Sequence, residues 1–213
     1  QADSYRKLFD HFQPQLLVGL TATPERMDGK DLRPDFGNRI SAEIRLPQAL
    51  QAGLLTPFQY LCISDDTDLS DDSLWSGQKY NIERLADKLC AKTRARLIVD
   101  ALHKYLTDEY TCRALCFCVN KRHADFMAEQ LRLYGFNAQS LTSDTPADER
   151  KHLAKDLREG TLHYLCVVDI FNEGVDIPEV DTVLFLRPTE SLTIFLQQLG
   201  RGLRLSAGKT ELT

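Results

Sequence analysis

The chain has 213 residues, 43% of them hydrophobic, and 26 Lys and Arg against 31 Asp and Glu give a formal net charge of -5. That apolar content buries one large or two small domain cores and excludes a disordered chain. The acidic balance excludes a general attraction to nucleic acid, so any such binding must come from a local groove.

No apolar run approaches the roughly 20 residues a membrane-crossing helix needs, so no membrane partner is expected. The opening residues show no charged-then-apolar leader pattern, and the six cysteines lie mostly in apolar stretches, which reads as a reduced, cytoplasmic protein.

In chain order, residues 16–20 are the first strand candidate, running into Thr21-Ala22-Thr23-Pro24. Short hydroxyls at a strand end can relay hydrogen bonds between two sites, and they equally serve a local turn. Residues 58–63 are the next strand candidate. Asp65, Asp66, Asp68, Asp71 and Asp72 then crowd around the single Trp75. Asp71 stands where a calcium loop needs its sharp-turn glycine and Gly77 where it needs its closing Glu, so the stretch reads as a solvated loop. Residues 113–119 form an apolar strand in which Cys116 and Cys118 alternate, and no metal is expected there.

Asn120 is the expected N-cap of a helix over residues 121–134, stopped by Gly135. Free N–H groups beside Asn120, Lys121 and Arg122 favour an anion, although capping accounts for Asn120 equally well. After a strand at 137–141, Thr145 is the expected N-cap and Pro146 the first-turn residue of a helix ending at Gly160. A strand at 163–168 leads into Asp169-Ile170-Phe171-Asn172-Glu173-Gly174-Val175-Asp176, where Gly174 allows close backbone approach and Asp176 supplies an acceptor. Residues 182–186 are the last strand candidate.

Beyond it, Gln197, Arg201 and Arg204 follow helical spacing onto one face, opposite Leu192, Phe195, Leu196 and Leu199. Two guanidinium groups so placed can hold a phosphate, and by themselves they also read as a solvated face. Gly202 to Gly208-Lys209-Thr210 imitates a P-loop, but five residues separate the glycines where four are required. The alternation of strands and helices predicts an α/β fold, a parallel sheet with helices on both faces.

Together and in this order, these stretches resemble the second half of the motor core of superfamily two helicases. Thr21-Ala22-Thr23 is similar to their motif III, the surroundings of Asn120 to motif IV, Asp169 through Pro178 to motif V, and Gln197 through Arg204 to motif VI. Thr23-Pro24-Glu25-Arg26, Phe171-Asn172-Glu173-Gly174 and Arg187-Pro188-Thr189-Glu190-Ser191 resemble bacterial DEAD/DEAH-like helicases related to restriction-enzyme motor subunits.

The resemblance implies that residues 1–46 are the tail of a first, ATP-binding RecA-like domain and residues 47–213 the second, helicase C-terminal domain. ATP and Mg²⁺ are then held mainly by the missing part of the first domain, and the remainder of the same polypeptide is the obligatory partner. Arg201 and Arg204 reach the γ-phosphate and Gln197 helps order the attacking water. Gly174, Asp176 and Gly200 lie against the nucleotide, and Thr21, Ala22 and Thr23 couple the two sites. Asn120, Lys121, Arg122, Ser143, Thr145 and Asp169 follow the nucleic-acid backbone, DNA being favoured over RNA. The alternative is a non-catalytic RecA-like nucleic-acid-binding or scaffold module. Two residues depart from the family pattern: Val168 replaces a frequent backbone-contacting Thr, and Glu173 replaces the Arg of the DEAD-box branch.

Overall fold

A computed structural model describes residues 2–21, 33–77, 79–168, 177–189 and 191–213, which fall into two compact units, Gln1–Arg45 and Leu46–Thr213. Ala22 and Thr23 lie outside the described residues, as do Asp169, Gly174 and Asp176.

The first unit contains helix α1 (Ala2–Phe12) and a 3-10 turn at Arg33–Phe36. Residues 16–20, expected as a strand, have irregular backbone. Among the described residues of this unit no strand lies alongside to take their N–H and C=O groups, and an extended segment without a neighbour leaves those groups to water. Leu20 is accordingly 94% exposed.

The second unit is built on four parallel strands in the order β4-β5-β3-β6. It opens with helix α2 (Leu46–Gln51) and a small antiparallel hairpin, β1 (Trp75–Ser76) and β2 (Lys79–Tyr80), whose rings stack at 4.1 Å between Trp75 and Tyr80. Helices α3 (Ile82–Leu89) and α4 (Lys92–Tyr105) lead into β3 (Ala114–Phe117). Then follow α5 (Lys121–Leu133), β4 (Ala138–Leu141), α6 (Ala147–Glu159), β5 (Tyr164–Val167), β6 (Thr182–Phe185) and α7 (Leu192–Gly202).

The period-two alternation of β3 sorts its residues between two cores. Ala114 and Cys116 pack with Ile98 and Val99 of α4 and Met127 and Leu131 of α5, whereas Leu115 and Phe117 pack with Ala154 and Leu157 of α6. Helices therefore cover both faces of a parallel sheet, as the strand–helix alternation implied. Gly160, at φ 75°, ends α6, and Gly135, at φ 88°, follows α5.

Two expectations change. Residues 58–63 form no strand; only Phe58 bridges, to Leu212, with Gln59 donating to the Leu212 carbonyl at 2.8 Å. The backbone beside this segment offers pairing at one residue, so a longer ladder has nothing to join. On its other side the same short segment continues the sheet, Val183 donating to the Thr213 carbonyl at 2.7 Å and Thr213 to that of Asp181 at 2.9 Å. At α6, Pro146 and not Thr145 occupies the cap position, and the Thr145 hydroxyl instead accepts from the Thr142 N–H at 3.0 Å. The turn after β4 thus takes the oxygen that the helix start was expected to use.

Candidate functional site: two edges of one sheet

Because the strands are parallel, the residues that follow them meet at one edge, the carboxyl edge. Asn120 caps α5, its side-chain oxygen accepting from the His123 N–H at 3.0 Å, and its Nδ2 donates to Glu83 of α3 at 3.1 Å. Lys121 crosses to the loop after β4, where its Nζ meets Asp144 at 2.6 Å, and the Ser143 hydroxyl donates to the same carboxylate at 3.3 Å. The Lys121 ammonium holds the Asp144 carboxyl below the ordinary carboxylate range. Lys121 and Ser143 are therefore joined through Asp144, with Asn120 and Thr145 next to them along the chain. Arg122 turns the other way, toward α3, where it reaches Asp87 at 2.6 Å and the Glu83 carbonyl at 3.2 Å. Behind the cluster His123 is fully buried and accepts from the Val119 N–H at 3.3 Å through Nδ1. Burial pushes its imidazole down to about 4, with Arg94 and Arg122 adding to the effect.

Helix α7 carries Gln197, Gly200 and Arg201 toward the opposite, amino edge. Ser191 caps it, accepting from the Ile194 N–H at 3.4 Å. Phe195 packs against Phe185 at the far end of β6, and Gly202 lies against Val183 near its start, so α7 runs antiparallel to the strand. Gln197 is exposed and Arg201 half-buried, four residues apart on one face. Burial draws the Arg201 guanidinium below its usual value, though a guanidinium stays cationic at neutral pH.

Two details of the helical-wheel reading are corrected. The helix stops at Gly202, so Arg204 is placed by the backbone beyond it and not by the i+7 spacing. Leu192, expected in the apolar stripe, is 73% exposed, whereas Gln198, Leu199, Gly202 and Leu203 are the buried members. The cause is close packing: a Cβ on Gly202 would meet Leu212 Cδ1 at 2.5 Å and Val183 Cγ2 at 2.9 Å, which rotates that side of the helix inward. Gly200, by contrast, has no atom of another described segment within 4 Å of the position a Cβ would take.

Sequence reasoning missed the groups that hold the helix end. The Thr56 N–H donates to the Leu203 carbonyl at 2.8 Å and its hydroxyl to the Arg204 carbonyl at 3.0 Å. Lys209 Nζ donates to the carbonyls of Arg204 at 2.9 Å, Pro178 at 3.1 Å and Gly202. The one visible signal was the Gly208-Lys209 pair of the rejected P-loop look-alike.

A guanidinium pair beside a helix flank open at Gly200 suits a polyphosphate, supplying positive charge and only hydrogen-bond donors. The same donor set cannot ligate a metal ion. Among the described residues no helix is long and apolar enough to cross a membrane.

The helicase conserved C-terminal domain model matches residues 71–206, a span that includes Asn120, Lys121, Ser143, Arg201 and Arg204. The chain belongs to that family. Over 210 residues it is 28% identical to a protein of Lactococcus phage (isolate 7-9) described only as a 51.5 kDa protein, covering 99% of this chain and 45% of the phage protein. It is also 28% identical over 215 residues to the putative ATP-dependent helicase IRC3 of Saccharomyces cerevisiae, covering 98% of this chain and 31% of that protein. The type I restriction enzyme EcoKI endonuclease subunit of Escherichia coli is 26% identical over 231 residues, covering 95% of this chain and 20% of the subunit. The chain spans less than half the length of each of these relatives.

Proposed function

We propose that this chain is the C-terminal motor half of an ATP-dependent nucleic-acid helicase or translocase working in the cytoplasm, DNA being the favoured track. The observation that carries the reading is the family match across a helix whose end presents Arg201 and Arg204 at one edge of the sheet, while Asn120, Lys121 and Ser143 gather at the other. Residues 1–46 then belong to the first RecA-like domain, which would hold most of ATP and Mg²⁺. Bound ATP supplies the phosphoanhydride whose hydrolysis drives movement. Arg201 and Arg204 would neutralise charge on its phosphates, Gln197 would orient water, and Gly200 would let the nucleotide approach the helix. Asn120, Lys121, Ser143 and Thr145 would follow a strand through its phosphates, a mode that tolerates any sequence.

The test is nucleic-acid-stimulated ATP hydrolysis by the full-length protein. Arg201→Ala and Arg204→Ala should each lower kcat by roughly 10³–10⁵, the range for an arginine finger, with the fold intact. Near-normal rates in both variants would leave the non-catalytic nucleic-acid-binding or scaffold module in its place. Comparing DNA with RNA as the stimulating strand decides the track, and removal of Mg²⁺ should stop turnover.

A further inference from the structure

Resting on that reading of Arg204, we propose that Thr56 and Lys209 are positioning residues for the arginine end of the motor. Together they clasp the backbone of residues 202–204, and Lys209 makes its position depend on Pro178, at the foot of the motif V segment.

The last carbonyls of a helix have no partner one turn further on and must find donors elsewhere. Here the exits are filled by side chains and backbone brought from far away. Leu203 and Arg204 are taken by the N–H and hydroxyl of Thr56, a residue 148 positions earlier that is only 1% exposed. Gly202 and Arg204 are taken by Lys209, whose ammonium has three protons and three carbonyl acceptors, the third being Pro178.

Basic side chains near a helix end can bond its last carbonyls, and here the same ammonium also reaches Pro178 of a second segment. Burial pushes the Lys209 amine down to about 8, with Asp181 and Glu179 acting in the opposite direction. The ammonium is therefore held where it is partly desolvated, and it bridges two segments that the family reading assigns to one nucleotide. Arg204 lies beyond the helical ladder, so the backbone that these two residues grip sets where its side chain begins.

The experiment uses the full-length protein and four variants: Lys209→Met, Thr56→Val, Thr56→Ser and Arg204→Ala. Amide hydrogen exchange is read alongside ATPase kinetics. Lys209→Met should lower kcat by up to about 10²-fold, the scale of a small misplacement of a reacting group, with KM for ATP nearly unchanged. It should also speed exchange of the Thr56 amide while the amides of β3 and β5 keep their protection. In the Arg204→Ala background it should add little further loss, because a group acting through Arg204 has nothing left to position. Thr56→Ser should keep activity and Thr56→Val lose it, which reads the same coupling if Lys209→Met fails to fold.

Should Arg204→Ala abolish hydrolysis while Lys209→Met and Thr56→Val turn over normally, or multiply its loss in full, the clasp is overturned and the arginine finger stands. Should Arg204→Ala itself hydrolyse normally, the finger reading falls first. Unchanged Thr56 exchange in Lys209→Met overturns the clasp in either case.

Discussion

The two edges of the sheet hold their cations by different means. At the start of α5, Lys121 and Arg122 are engaged by the carboxylates of Asp144 and Asp87, exposed pairs that can be exchanged for another anion. At the end of α7 it is the backbone of residues 202–204 that is gripped, by the Thr56 and Lys209 donors. Exposed ion pairs contribute little and weaken with salt, whereas hydrogen bonds to a half-buried backbone are insensitive to it. One edge is thus suited to contacts that are made and released repeatedly, and the other to presenting a group in one place.

The comparison is broken most severely if the arginine end tolerates a change of head group. Arg201→Lys and Arg204→Lys keep the charge and lose the planar fork, so kcat should stay about 10³-fold or more below wild type. Recovery to near wild-type rates in the lysine variants would show that charge alone suffices there.

The next effect concerns acid and the α5 edge. The folded value of His123, about 4, lies below its ordinary 6.5, so between these values the unfolded chain binds the extra proton. Its contribution is fully present above pH 6.5 and is lost as pH falls toward 4, a change of about 3 kcal/mol. His123→Gln keeps an acceptor for the Val119 N–H and removes the titration. Denaturant melts of the two proteins across pH 4–7 should show a flatter slope for the variant.

Two glycines one turn-half apart in α7 sharpen the contrast further. Gly202→Ala forces a methyl against Leu212 and Val183 and should destabilise the fold by about 1–3 kcal/mol. Gly200→Ala meets nothing and should leave stability equal or higher by up to about 1 kcal/mol. If that stable variant nonetheless binds nucleotide less tightly, the open flank is an approach path; unchanged nucleotide affinity removes Gly200 from the site.

The smallest effect is expected from Asp144→Asn and Asp87→Asn. Freeing Lys121 and Arg122 should raise nucleic-acid affinity at low salt and steepen its salt dependence, with the difference vanishing at high salt. Equal affinity at every salt concentration would mean that the carboxylates do not compete with phosphate.

What was legible in the chain followed local rules. Ala114–Phe117 and Tyr164–Val167 are short apolar runs with every residue buried, and they appear as central strands where expected. Asn120 caps α5 because the residue type and its spacing to His123 suffice. Expectations failed where a distant partner decides the outcome. Residues 58–63 are apolar enough for a strand but bridge at Phe58 alone, to Leu212, and the helix that carries Gln197 stops before Arg204, where the backbone is bonded to Thr56. Lys209 resembled part of a phosphate loop since an ammonium beside a glycine serves oxygen atoms in general; here those oxygens belong to the chain itself.

The bridge between Phe58 and Leu212 also bears on how the protein is made. Loop closure over so many residues is an entropic barrier that local contacts do not share, so β3, α5, β4 and β5 are expected to assemble before it closes. On a ribosome the segment around Leu55 and Phe58 emerges before residues 199–213 and waits for them before it is covered. Through that interval it presents an apolar strip to chaperones and to neighbouring chains, and the arginine end acquires its shape only as synthesis passes Leu212.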